Sequence, residues 1–263
     1  MQQTVKSVNY FGCGYCVNNL CRVFKGMHEK RKFPAGVFLI EHSKHGLILF
    51  DTGYSEKICK TGIIGRIYNL ANPTKVSEQD TIKSQLEKQG IETDKIKYII
   101  LSHLHPDHIG GLLDFPKAKI VLSANALDAY RHRSLRQLIM KQFIPKDFEE
   151  RVIEITKEKT NTTVFDILKG HDLFDDKSII LVELEGHARG QLCALINHKI
   201  LLAADSCWGN DLLDISDKMK FPANLIQYNM DDYRKSLEIL KQFRKDGIKL
   251  MFSHDTYNRK KVL

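Results

Sequence analysis

Residues 101–111 read LSHLHPDHIGG and follow directly on IKYII, an apolar run rich in β-branched side chains. Such a run between polar signals has the composition of a buried strand. Four metal-capable side chains, His103, His105, Asp107 and His108, therefore fall just beyond a strand end. Their spacing has a geometric logic. Residues two apart in an extended segment point the same way, so His103 and His105 reach one ion together. Pro106 suits the first turn of a short helix, which swings Asp107 and His108 toward a neighbouring position about one metal spacing away.

Three further residues share that structural address. His187 follows the strand pattern IILVELEG, Asp205 follows ILLAA, and His254 follows KLMFS; Asp51, after LILF, stands at a fifth such end. Strand ends on one side of a layered domain converge, and sites are commonly built there. A single histidine at a strand end is often only a satisfied polar group. Seven such residues in the same strand-to-loop context point to a site.

The rest of the pattern alternates between strands and helices. Strands are expected at 36–42, 46–51, 96–101, 119–122, 178–184, 191–197, 199–204 and 248–252. Helices are expected at 78–88, where Ser77 and Asp80 have capping-box spacing, and at 231–245, where Tyr233, Leu237, Leu240 and Phe243 form one stripe. Two sets of strands with helices outside predict an α/β sandwich. The expected organisation is one domain over 1–263, with a mainly helical insertion around 123–176 that either covers the site or packs as an ordinary layer.

These residues carry a family resemblance. HxHxDH at 103–108, Gly186-His187, Asp205 in LLAADS, His254 in FSHD and the turn Asp51-Thr52-Gly53 resemble the metal-binding set of the metallo-β-lactamase superfamily, in order, from about residue 36 onward. The narrower look is of the N-acyl-homoserine lactone lactonase branch. The resemblance implies an αββα sandwich of two facing mixed sheets. It also implies a ligand set: His103, His105 and His187 on one metal, Asp107, His108 and His254 on the other, Asp205 bridging, and Asp51 orienting a ligand without binding metal. Imidazole and carboxylate without thiolate favour zinc, with manganese, iron or cobalt compatible. The true β-lactamases of the fold generally place Cys where Asp205 stands, and the oxygen-reducing diiron branch places Glu where His105 stands. Both departures argue against those activities.

The expected chemistry is hydrolysis by a hydroxide bridging two divalent metals, with Asp107 or Asp205 passing a proton to the leaving group. A small ester-like substrate is expected, lactone ahead of thioester. The alternatives are a phosphodiesterase of the same fold and a metal-retaining ligand-binding protein with little turnover. Where the lactonases carry a substrate-holding Tyr, this chain has Trp208, its single tryptophan, which is assigned either to a wall beside the substrate or to packing.

Composition bounds the partners. The formal charge is +8, but lysines and arginines are mixed with acidic residues along the chain, and the cluster Arg131, Arg133, Arg136 reads as a solvated face, so nucleic acid is not expected. The first sixteen residues lack an apolar stretch of signal-peptide length, and no run approaches the roughly 20 residues that cross a bilayer. A cytoplasmic protein acting on a small molecule, without a membrane partner and compatible with a homodimer, is expected. Six cysteines in a chain this long do not suggest a disulfide framework, and Cys13-x-x-Cys16 with Cys21 is a weak metal or redox signal.

Overall fold

The computed structural model describes residues 4–132, 134, 137–165, 167–257 and 261–263. In chain order the elements are β1 (Val5–Asn19), β2 (Lys30–His42), β3 (Gly46–Phe50), α1 (Gly62–Ala71), β4 (Thr74–Lys75), α2 (Ile82–Glu87), β5 (Ile96–Ile100), α3 (Pro106–Ile109), β6 (Lys119–Ser123) and α4 (Ala124–Arg131). There follow α5 (Phe148–Arg151), β7 (Val152–Ile155), β8 (Thr162–Val164), β9 (Leu168–Asp172), β10 (Ile179–Glu183), β11 (Leu192–Ile196), β12 (Ile200–Ala204), α6 (Met230–Lys245) and β13 (Lys249–Phe252).

The strands form two sheets, one in the order β4-β1-β2-β3-β5-β6-β7 and the other β13-β12-β11-β10-β9-β8. Both are mixed: β3, β5, β6 and β7 run parallel, as do β12 and β13, and the remaining neighbours are antiparallel. Alternation along the central strands explains the layering. Leu192, Ala194 and Ile196 of β11 face the core between the sheets, whereas Cys193 and Leu195 face the layer that contains α6. In β5, Ile100 points between the sheets and Ile99 points outward toward α2 and α3. Strands covered on both faces read as continuous apolar runs for this reason. The architecture is the expected αββα sandwich.

α6 follows the expected stripe. Asn229 caps it by accepting from the backbone N–H groups of Asp231 and Asp232, and Tyr233, Leu237, Leu240 and Phe243 are fully buried. The expected helix at 78–88 is divided instead. Ser77 and Asp80 do form the capping box, but Thr81 is extended and caps α2 separately.

The segment 123–176 is not mainly helical. Its regular elements are the short α4 and α5 together with β7, β8 and β9, and these strands extend the edges of both sheets. Residues 133, 135, 136 and 166 of this segment lie outside the described residues. Near 152–155, Ile153 and Ile155 turn toward the inter-sheet core while Val152 packs on the outer layer, a two-residue alternation. A short apolar run fits helix and strand patterns equally, and pairing with β6 decides it. No described helix is long and apolar enough to cross a membrane.

Candidate metal centre

Strand direction brings the site together. β3 and β5 are parallel neighbours, so Asp51 and the segment 102–108 leave the first sheet at one edge. β12 and β13 are parallel, and β10 shares their direction because β10 and β12 are each antiparallel to β11. His187, Asp205 and His254 therefore leave the second sheet at one edge too.

Local backbone at these ends is specialised. Asp51 has φ 63° and Ala204, next to Asp205, has φ 46°, both in the left-handed region that costs a side-chain-bearing residue energy and recurs at functional sites. Gly186, just before His187, has φ 123°, and a Cβ there would stand 2.1 Å from the backbone nitrogen of Tyr233. Only glycine fits. His105 is extended and Pro106 opens the one-turn α3, which redirects Asp107 and His108 as the spacing predicts.

The seven side chains meet in two adjoining groups. His103, His105 and His187 form one; Asp107, His108, Asp205 and His254 form the other, with ligand atoms within 4.8 Å of one another inside each group. His105 Nδ1 lies 3.0 Å from His103 Nε2 and 3.1 Å from His187 Nε2. Asp205 stands between the groups: its Oδ2 is 2.9 Å from His254 Nε2 and 3.4 Å from His187 Nε2, and its Oδ1 is 3.4 Å from His108 Nε2. Asp107 Oδ2 is 3.6 Å from His108 Nε2 and 3.7 Å from His254 Nε2.

Burial and neighbouring charges set the protonation of these side chains. Burial and the neighbouring imidazoles hold His103 and His105 well below the usual histidine range, and burial lowers His187, so these are neutral rings with lone pairs to offer. Burial works against a charged Asp205, yet His254 and His108 hold its carboxyl well below the usual range. Burial likewise opposes charge on His108 and His254, but Asp51 and Asp205 respectively, with the neighbouring carboxylates, raise them. His108 Nε2 and Asp205 Oδ1 are buried without a hydrogen-bond partner among the described residues. Orphaned buried atoms of this kind need an explanation, and a cation between an imidazole and a carboxylate supplies one. The donor set fits a divalent metal.

The outward faces of these side chains are held by other groups. Asp51 stays outside both groups, with Oδ2 2.8 Å from His108 Nδ1, while Ser102 donates to it through its backbone N–H and its hydroxyl, each at 2.8 Å. His187 Nδ1 lies 2.9 Å from Gln227 Oε1, and His254 Nδ1 donates to the carbonyl of Pro34 at 2.8 Å. Ser102, Gln227 and Pro34 escaped the sequence reading. Ser102 sits inside the motif and was open to inference; Gln227 and Pro34 lie far from it in sequence and carry no local signal.

The sequence model of the Metallo-beta-lactamase superfamily matches residues 32–252. The chain belongs to this superfamily. Among its metallo-β-lactamase relatives, a probable metallo-hydrolase of Mycobacterium tuberculosis is 28% identical over 207 residues, which cover 75% of this chain and 66% of the relative. The N-acyl homoserine lactonase AiiA of Bacillus thuringiensis subsp. kurstaki is 24% identical over 98% of this chain and 96% of its own. A solved structure of B. thuringiensis AiiA superposes with a TM-score of 0.71 over 96% of this chain and 94% of that one, at 24% identity. The chain thus has the metallo-β-lactamase fold, with metallo-hydrolase and lactonase relatives.

Other candidates resolve differently. Trp208 lies within an apolar cluster, its ring 6.1 Å from Phe33 and 6.3 Å from His187, so it packs and borders the site at once. Cys13 and Cys16 are buried on β1, and burial pushes the Cys16 thiol up to about 12, which leaves it protonated and poor as a ligand. A third metal-capable group, His42, His45 and Asp176, is spoken for. His42 Nδ1 accepts from the backbone N–H groups of Lys44 and His45, so its Nε2 carries the proton and faces Ser178 and Asp176 as a donor. Of the basic cluster, Arg131 pairs with Glu149 on the surface, and Arg133 and Arg136 lie outside the described residues.

Proposed function

We propose that this chain hydrolyses a small ester-like substrate, a lactone first, at two divalent metals, with zinc as the favoured ion. The single observation behind the reading is Asp205 standing between a three-histidine group and an Asp/His group, within 3.4 Å of members of both. Metals held there would act as Lewis acids and lower the pKa of a water from about 15.7 toward 7.

The chain's own groups have distinct tasks in this scheme. Asp205 is locked among three imidazoles, and its position suits a bridge. Asp107 is held more loosely, with histidine contacts of 3.6 and 3.7 Å, so its Oδ2 is the carboxylate oxygen suited to carry a proton to a departing alkoxide. Asp51 and Gln227 keep the rings of His108 and His187 in the tautomer that points Nε2 inward.

A small pocket, partly open to solvent, adjoins His105 and His187. Its wall includes Leu104, Ala126, Ala129, Ile139 and Ile226, an apolar lining suited to an alkyl or acyl substituent. Arg189 also lines it, but its guanidinium sits 2.6 Å from Asp128, so its charge is already matched. This favours a neutral lactone over a phosphodiester.

The test joins elemental analysis of the purified protein to a panel of lactones, a thioester and bis(p-nitrophenyl) phosphate. Two metal equivalents per chain with lactone turnover is the expected result. Turnover of the phosphodiester alone would replace the lactone reading; full metal with no turnover across the panel would replace hydrolysis with ligand binding.

A further inference from the structure

α1 is turned inside out. Its buried residues are Gly65 and Tyr68, the latter bonded through its hydroxyl to Tyr54 at 2.9 Å, while its large aliphatics face outward. Ile63, Ile64, Ile67 and Leu70 are 75%, 54%, 63% and 83% exposed, and positions 63, 67 and 70 fall on one stripe of the helix. A contiguous exposed stripe of this kind marks an interaction surface.

The surroundings of α1 say what the stripe meets. Asn18 donates to Asn72 just past α1 at 3.2 Å, the backbone of Val17 bonds to Pro73, and Lys220 N–H bonds to Val23 at 2.9 Å. Segments 18–32, 54–75 and 216–222 are thereby linked by hydrogen bonds. They hold eleven of the chain's 40 lysines and arginines (Arg22, Lys25, Lys30, Arg31, Lys32, Lys57, Lys60, Arg66, Lys75, Lys218 and Lys220) but only three of its 32 acidic residues. The remaining chain carries 29 of each, so the whole +8 surplus belongs to these three segments. All of the eleven except Arg31 are exposed, and Phe221, 74% exposed, adds a second apolar element.

We propose that this face docks on an anionic lipid surface, with Ile63, Ile67 and Leu70 entering the boundary between headgroups and acyl chains and the surrounding lysines and arginines on the lipid headgroups. An amphipathic helix with aliphatics on one side and basic residues beside it is built for that interface. A second copy of the chain fits less well, because pairing stripes would set Lys57, Lys60 and Arg66 near their like-charged counterparts. Nucleic acid would use the charge but leave the aliphatic stripe in water.

The proposal is independent of turnover and is read by sedimentation of the metal-loaded protein with vesicles of phosphatidylcholine alone or with about 30% phosphatidylglycerol. Binding to the anionic vesicles is expected, weakened at least about tenfold by raising NaCl from about 0.1 to 0.5 M. The double variant I63D/I67D and, separately, K57E/K60E should each lose about tenfold or more in vesicle affinity while keeping metal content, melting temperature and hydrolysis of a water-soluble lactone. Four results would overturn the proposal. They are no binding to anionic vesicles, variants that bind as the parent does, a dimer by light scattering that I63D/I67D converts to monomer, or a DNA duplex bound in preference to vesicles.

Discussion

Asp51 Oδ2 lies 2.8 Å from His108 Nδ1, and both side chains are fully buried. The contact fixes the proton on Nδ1 and leaves Nε2 facing Asp107 and Asp205. In Asp51→Asn, the backbone N–H of Ser102 would still require an oxygen at the Oδ1 position, which places the amide nitrogen against His108 Nδ1. Two donors then face each other, the imidazole changes tautomer, and Nε2 is lost as a ligand. Asparagine tolerates the left-handed backbone at this position, so the fold should persist. The expected outcome is metal affinity lower by about 10–100-fold at the Asp107/His108/His254 group. Competition with a chromogenic chelator measures it, and unchanged affinity would remove Asp51 from its orienting role.

Gln227 does the same for the other group through its 2.9 Å contact with His187 Nδ1. Gln227→Leu should weaken one metal equivalent by about tenfold, and Gln227→Glu, which retains an acceptor oxygen, should restore it. Because Asp51 and Gln227 serve different groups, each variant should affect a different equivalent in the chelator titration. Identical profiles from the two variants would mean that the groups do not bind separately.

The parts of this molecule that were legible in the sequence have short-range causes. His103, His105, Asp107 and His108 are placed by one strand, one proline and a single turn, so their convergence follows from local geometry. His187, Asp205 and His254 were found because each follows a run of apolar residues buried on both faces. β1 was missed because its alternation is broken: a register shift between Gly12 and Tyr15 interrupts VKSVNYFGCGYC, and polar residues occupy its exposed face. α1 was missed for the opposite reason. Its apolar stripe faces solvent, so periodicity gives no guide to how it packs. β7 is not separable from helix in the sequence, because Val152, Ile153 and Ile155 satisfy both patterns and only pairing with β6 decides between them.

Glu183 should make stability depend on pH. Burial, then the negative charge of Glu185, pushes the Glu183 carboxyl up to about 7, while Asn125 donates to both carboxylates. The unfolded chain would have Glu183 near the ordinary 4.5, so between about 4.5 and 7 the folded state binds more protons than the unfolded one. Stability from this group is therefore complete below about 4.5 and lost as pH rises through 7. Glu183→Gln should flatten that part of the profile and melt higher than the parent at pH 8. Melting curves from pH 5 to 8 check the sign, and parallel profiles would show that Glu183 does not hold its proton to higher pH in the folded chain.

Asp205 should couple metal binding, turnover and stability in one side chain. In Asp205→Ala, His254 loses the carboxylate that chiefly raises it, His108 keeps Asp51 but loses one of the others, and His187 loses a negative neighbour 3.4 Å away. At least one metal equivalent should be absent from the purified variant, with turnover lower by on the order of 10³-fold or more. Metal bound only to the folded state stabilises it by about 2.7 kcal/mol when free metal is 100 times its dissociation constant. Chelator should accordingly lower the melting temperature of the parent, and metal should restore it, whereas the variant should respond to neither for the lost equivalent. Full metal content in Asp205→Ala would place the bridge elsewhere. Full turnover with a metal missing would separate the reaction from the paired ions altogether.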